Sequence, residues 1–201
     1  MESISIVKGN PMSDLGGSLN YMALDYMAYP LVGSNDSNII EETLKQLWKL
    51  DSNRFSHKFA FEAKIDQKTV GIVTCYPVSV MNKLAWPTFK KLFNLRKWAL
   101  IGYSILNFQN VWSMVSLNEG REDEYHIGML ATLPESRGHG IGSKLIDFVQ
   151  KQAELNQYNK ISLTVKKDNK LAIKLYERSG FQITDFIEKK PYLLYRMVKT
   201  I

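Results

Sequence analysis

The sequence predicts a mixed α/β domain with a central sheet flanked by helices. Three observations carry that expectation. Strand-like and helix-like patterns alternate along most of the chain, as they do when helices are layered on a mixed sheet. From Glu124 onward the alternation is regular: strand, glycine-rich turn, helix, strand, helix and two closing strands. Hydrophobic residues make up 45% of the 201 residues and charged residues 23%, the ordinary composition of a globular chain with one core. A single domain over residues 1–201 is therefore expected.

The elements follow in order. Residues 4–8 read as a short first strand. Pro11-Met12-Ser13-Asp14 reads as a helix start, with Leu15, Leu19, Met22 and Tyr26 following at helical spacing. Pro30 is expected to end that helix. After the loop at residues 33–37, a second helix runs over about residues 38–50, with Ile40, Leu44, Leu47 and Trp48 on a core-facing stripe. Residues 59–65 and 69–77 form a hairpin across Asp66-Gln67-Lys68. Between Ser79 and Leu117 the pattern is rich in Trp, Phe and Leu, and Pro87 and Gly102 punctuate it into one or two helices. Residues 118–123 are polar and read as a loop.

The second half is clearer. Residues 124–133 form a strand. A helix over residues 140–156 repeats Ile141, Leu145, Ile146, Val149 and Ala153 at helical spacing. Residues 160–165 are a strand, and residues 169–179 a helix closed by Gly180 at the C-terminal cap position. Residues 181–187 and 192–198 are the last two strands, joined across Glu188-Lys189-Lys190-Pro191.

Charge and cysteine content narrow the function classes. The net charge of +6 favours anionic partners in general. The lysines are scattered, with no basic run of five or more, which argues against a nucleic-acid arm. The single cysteine, Cys75, lies in an apolar run, forms no intramolecular disulfide and fits a buried strand position in a cytoplasmic protein. Met1-Glu2-Ser3-Ile4 lacks the basic-then-apolar order of a secretion signal. The apolar stretch of residues 98–115 is interrupted by Asn107, Gln109 and Asn110 and is too short to span a bilayer, so no membrane partner is expected. The three histidines show no ligand spacing, so no metal is implied.

The chemistry-bearing feature is Arg137-Gly138-His139-Gly140-Ile141-Gly142-Ser143, set between a strand and a helix. Glycines there allow a tight turn and close approach to a ligand. The free amides of the helix start then suit an anion such as a pyrophosphate. The Rossmann pattern G-x-G-x-x-G fails, and the Walker pattern fails because Ser143 is the sixth residue from Gly138. Taken alone, the loop serves a bound phosphate or the packing of a helix on a strand equally well.

The run Leu130-Ala131-Thr132-Leu133-Pro134-Glu135-Ser136-Arg137-Gly138-His139-Gly140-Ile141-Gly142 resembles the acetyl-CoA loop of the GNAT superfamily of N-acetyltransferases. That loop reads arginine or glutamine, two residues, glycine, one residue, then glycine or alanine, and Arg137, Gly140 and Gly142 match it. Leu163-Thr164-Val165, Asp168-Asn169, Ala172, Leu175-Tyr176-Glu177 and Ser179-Gly180-Phe181 resemble the second motif of the same superfamily. Two motifs in order, about thirty residues apart, are far more specific than either alone. The resemblance covers about the last 80 residues; over residues 1–80 it is an order of elements, and residues 81–118 match nothing.

The resemblance implies a sheet of about six or seven strands flanked by helices. It implies acetyl-CoA as co-substrate, a primary amine acceptor and direct attack through a tetrahedral intermediate. Backbone groups of Leu130, Ala131 and Thr132 would bond the pantetheine arm and the thioester oxygen. Residues 137–143, including His139, Ile141 and Ser143, would hold the pyrophosphate. Asn169 matches a cofactor-holding asparagine, a role compatible with capping its helix. Tyr176 matches the tyrosine that protonates the departing thiolate. His126 falls where related enzymes place a base, Glu124 lies two residues earlier on the same strand face, and water is the third candidate for that step. The acceptor is not legible. Residues 81–117 could wall an acceptor pocket, form a lid or make a homodimer contact. The alternative to an enzyme is a non-catalytic CoA-binding sensor on the same fold, and a nucleotide-binding module is a third class.

Overall fold

The computed structural model describes residues 4–201. The reading of Met1, Glu2 and Ser3 as free of a leader lies outside the described residues. Seven strands form one sheet in the order β1-β2-β3-β4-β5-β7-β6. They are β1 (Ser5–Lys8), β2 (Ala60–Ile65), β3 (Lys68–Pro77), β4 (Tyr125–Thr132), β5 (Lys160–Lys166), β6 (Gln182–Lys189) and β7 (Tyr192–Thr200). Every neighbouring pair is antiparallel except β4 and β5, which are parallel. A parallel pair needs a crossover, and helix α7 (Ile141–Leu155) supplies it.

The helices cover both faces. Helix α7 presents Ile141, Leu145, Ile146, Val149 and Ala153 to the larger core, together with Cys75, Ile161, Leu163 and Tyr176 of helix α8 (Lys170–Arg178). Helices α1 (Gly16–Leu24), α2 (Ala28–Val32) and α3 (Ser37–Lys49) cover the other face. The periodic stripe of α3 is fully buried, and Asp36 caps it by accepting from the amides of Asn38 and Ile39. Helix α8 closes as read: the amide of Phe181 donates to the Tyr176 carbonyl and that of Gly180 to Glu177, with Gly180 at φ +90°.

Three expectations are corrected. Pro30 does not stop the helix; it sits in the first turn of α2, where no intrahelical donor is needed, and Gly33 ends that element. The helical pattern after Pro11 begins at Gly16, and Met22 faces solvent. Residues 78–115 form three helices, α4 (Val78–Arg96), α5 (Trp98–Leu106) and α6 (Phe108–Val115). Pro87 lies inside α4, and the carbonyl it leaves without a helical partner belongs to Lys83, an exposed residue. Gly102 lies inside α5 with its missing side chain facing open space.

Candidate active site

Strands β4 and β5 pair over three positions only: Tyr125 with Ile161, His126 with Ser162 and Ile127 with Leu163. Each strand continues, β4 to Thr132 beside β3 and β5 to Lys166 beside β7. The edges that face each other beyond those positions therefore lack ladder partners. A register shift opposite Thr74 and Cys75 leaves Gly128 as the extra residue of a bulge, which bends the strand. The bulge also changes facing: Ile127 joins the α7 side, while Met129 and Ala131 pack toward α1 and α3. Space requires glycine at 128, because a Cβ there would lie 2.3 Å from the Tyr76 hydroxyl.

The glycine-rich loop stands at the open end of this split. Gly138 (φ +83°) and Gly140 (φ +76°) adopt backbone conformations that favour glycine, and a Cβ on either would meet nothing within 4 Å. Gly140 begins α7 without a side-chain cap, so the first-turn amides of Ile141, Gly142 and Ser143 point outward at the positive end of the helix dipole. Gly142 serves packing instead: a Cβ there would come within 2.9 Å of the Leu175 side chain on α8. Arg137 is exposed, and His139 folds back so that its ring donates to the Arg137 carbonyl at 3.1 Å.

A cleft of about 640 Å³ runs through the split. Leu130, Ala131, Thr132, Arg137, Gly138, Gly140, Ile141, Gly142, Ser143, Asn169 and Tyr176 all line it, whereas His139 does not. Asn169 caps α8, its side-chain oxygen accepting from the Ala172 amide at 3.1 Å. Tyr176 follows about two helical turns later. Its ring meets Phe181 edge to face at 5.9 Å, and burial pushes the phenol up to about 12, so the proton stays on at neutral pH.

Neither Glu124 nor His126 lines the cleft. Glu124 is buried against Arg196. Burial alone would raise its pKa, but the Arg196 guanidinium, the Arg121 amide and the Ser162 hydroxyl hold it below the usual carboxylate value. His126 is fully buried, 3.0 Å from the Ser162 hydroxyl through Nδ1, with no partner at Nε2. Burial pushes it down to about 4, so it is neutral at physiological pH. Sequence reasoning passed over Glu119, which is the sole carboxylate among the described residues lining the cleft. Arg54 donates to it at 3.0 Å. Glu119 sits in a polar loop, and its partner lies 65 residues away, so no local signal marked it.

The buried histidine has a measurable consequence. Between about pH 6.5 and pH 4 the unfolded chain binds a proton at His126 that the native state refuses, so stability falls as pH drops through that window. The full difference is worth roughly 3 kcal/mol. His126→Gln should flatten the dependence, as read from urea unfolding at several pH values. Equal slopes in variant and wild type would assign the effect to another group.

The sheet is split at its parallel β4–β5 pair, with a glycine-rich helix start at the mouth of the resulting cleft. The sequence model of the Acetyltransferase (GNAT) family matches residues 23–181, and the chain belongs to that family. A segment of 56 residues is 38% identical to N-alpha-acetyltransferase 30 of Saccharomyces cerevisiae, covering 28% of this chain and 32% of the relative. The match thus spans about a third of that relative's length. The crystal structure of an N-acetyltransferase from Staphylococcus aureus Mu50 superposes with a TM-score of 0.71 at 21% identity, covering 96% of this chain and 99% of the other. A GNAT family acetyltransferase from Elizabethkingia anophelis with acetyl-CoA bound superposes with a TM-score of 0.54 at 14% identity, covering both chains fully (100%). Family membership supports acetyl transfer as the general activity.

Proposed function

We propose that the protein transfers an acetyl group from acetyl-CoA to a primary amine of a small molecule or peptide by direct attack. The observation that carries this reading is the split between β4 and β5 with the glycine-rich loop at its mouth. The residues present fit the co-substrate. The amides of Ile141 to Ser143 and the Arg137 guanidinium suit a pyrophosphate, and the open backbone at Gly138 and Gly140 leaves it room. The backbone groups of Leu130 and Thr132 turn into the gap and suit amides and the thioester oxygen, whereas Ala131, opposite Ile72 and in phase with the Leu133-to-Val70 bond, directs its own groups to β3. Exposed Leu171 on the rim offers an apolar cover. The amine nitrogen bonds the acetyl carbon, the carbon–sulfur bond breaks, and Tyr176 gives its proton to the departing thiolate. Glu119, in place of Glu124 and His126, takes the proton lost by the amine, because among the described residues it alone offers a carboxylate to the cleft.

Acetyl-CoA should raise the melting temperature, by about 2.7 kcal/mol of stabilisation at a hundredfold excess over Kd, while ATP and NAD should not. Gly140→Ala forces a side chain into φ +76°, at a cost of about 1–2 kcal/mol, and should shrink the acetyl-CoA response. An equal response to ATP would overturn the co-substrate assignment. Thiol release should be measured over an amine panel. Binding without turnover on any amine would turn the reading to a non-catalytic CoA-binding sensor.

A further inference from the structure

We propose that the outer face of α5 and α6 docks on a bilayer surface carrying anionic phospholipid headgroups. The inner side of these helices is anchored. Leu100 is buried under Gly33, the Ser113 hydroxyl donates to the Lys190 carbonyl at 2.7 Å, and the Tyr192 hydroxyl donates to that of Asn110 at 3.3 Å. The outer side is apolar. On α5, Trp98, Ile105 and Leu106 are exposed at helical spacing, Trp98 at 77% and Leu106 at 86%. On α6, Phe108, Trp112 and Val115 are exposed at positions i, i+4 and i+7, and the rings of Phe108 and Trp112 stack at 6.2 Å. A run of large apolar side chains held in water by anchored helices marks an interaction surface.

Charge selects the partner. From Val78 to Asn118 the sequence holds Lys83, Lys90, Lys91, Arg96 and Lys97 and no aspartate or glutamate. Arg96 is engaged with the carbonyls of Val32 and Gly33, which leaves the four lysines. On α4, Trp86 and Phe89 are exposed too, and Lys90 lies 5.3 Å from the Trp86 ring. Tryptophan and phenylalanine beside lysine, without acids, is the composition of a segment that lies in a headgroup layer. Helices α5 and α6 carry no charged residue of their own, and exposed Lys97 stands beside Trp98 at the start of α5. The helices have nine and eight residues, and among the described residues none is long and apolar enough to cross a membrane, so the contact is interfacial. The inference stands apart from the acetyl-transfer reading and revises the expectation of no membrane partner.

Three of the four tryptophans, Trp86, Trp98 and Trp112, lie on this segment, and Trp48 is buried, so tryptophan fluorescence reports on the face. The full chain should sediment with phosphatidylglycerol vesicles at low salt with a blue-shifted emission, and should stay in solution with phosphatidylcholine vesicles. Leu106→Ser with Trp112→Ser should weaken the partition by at least about 10-fold. Lys90→Gln with Lys97→Gln should weaken it by about 5-fold per charge, an effect that salt should mimic. All four side chains are exposed or surface groups, and an unchanged melting temperature checks that the variants fold. Failure to bind phosphatidylglycerol vesicles, or equal binding to phosphatidylcholine, overturns the proposal. So does a solution dimer that Leu106→Ser dissociates, which would assign the face to a second copy.

Discussion

Tyr176→Phe should lower kcat by roughly 10²-fold to 10⁴-fold, the usual contribution of a general acid, while leaving acetyl-CoA binding intact. The substitution removes the hydroxyl and keeps the ring. That ring packs edge to face on Phe181, so the fold is retained. With the phenol pushed up to about 12, the hydroxyl carries its proton throughout the neutral range and is available to the departing thiolate, itself the weaker base, as the carbon–sulfur bond breaks. Calorimetric acetyl-CoA binding paired with thiol-release turnover separates the outcomes. Unchanged turnover would mean that the thiolate leaves unassisted or is protonated by water. Joint loss of binding and melting temperature would make Tyr176 a packing residue.

Glu119→Gln should lower kcat/KM for the amine by about 10²-fold or more, with the melting response to acetyl-CoA unchanged. The carboxylate lines the cleft and its side chain is about one-fifth exposed, at 21%, so an incoming ammonium can reach it. His126→Gln should leave turnover within a few-fold of wild type, because the imidazole is sealed from the cleft and is a weak base at about 4. The reverse ranking would return the proton to His126 and reduce Glu119 to a partner that holds Arg54 in place.

Legibility followed the kind of information each feature carries. Helix α3 could be read because Ile40, Leu44, Leu47 and Trp48 form one apolar stripe at helical spacing. The α7 start and the Gly180 closure could be read because left-handed backbone demands glycine. Helices α4 to α6 resisted because their apolar residues point outward as well as inward, so the core-facing period is lost, and because a proline is tolerated on the exposed side of α4. In the site, residue type and strand face were legible for Glu124 and His126, but burial was not. Burial depends on Arg196 and Ser162, which arrive from β7 and β5. Glu119 escaped because its meaning comes from Arg54 and from a cleft that exists only once β4 and β5 have parted.

That parting makes the sheet incomplete in a specific sense. Along Gly128–Thr132 and Thr164–Lys166 the backbone offers donors and acceptors in the spacing of a ladder, with no chain of its own to fill them. To this edge, an extended arm punctuated by amides is an eighth strand, docked between two that could not meet. Selectivity then has two separate sources. In the proposed reading the loop would recognise phosphate, which every nucleotide carries, while the gap would recognise a peptide-like arm, which ATP and NAD lack. Discrimination among nucleotides would thus rest on main-chain geometry, which side-chain substitutions along β4 leave largely intact.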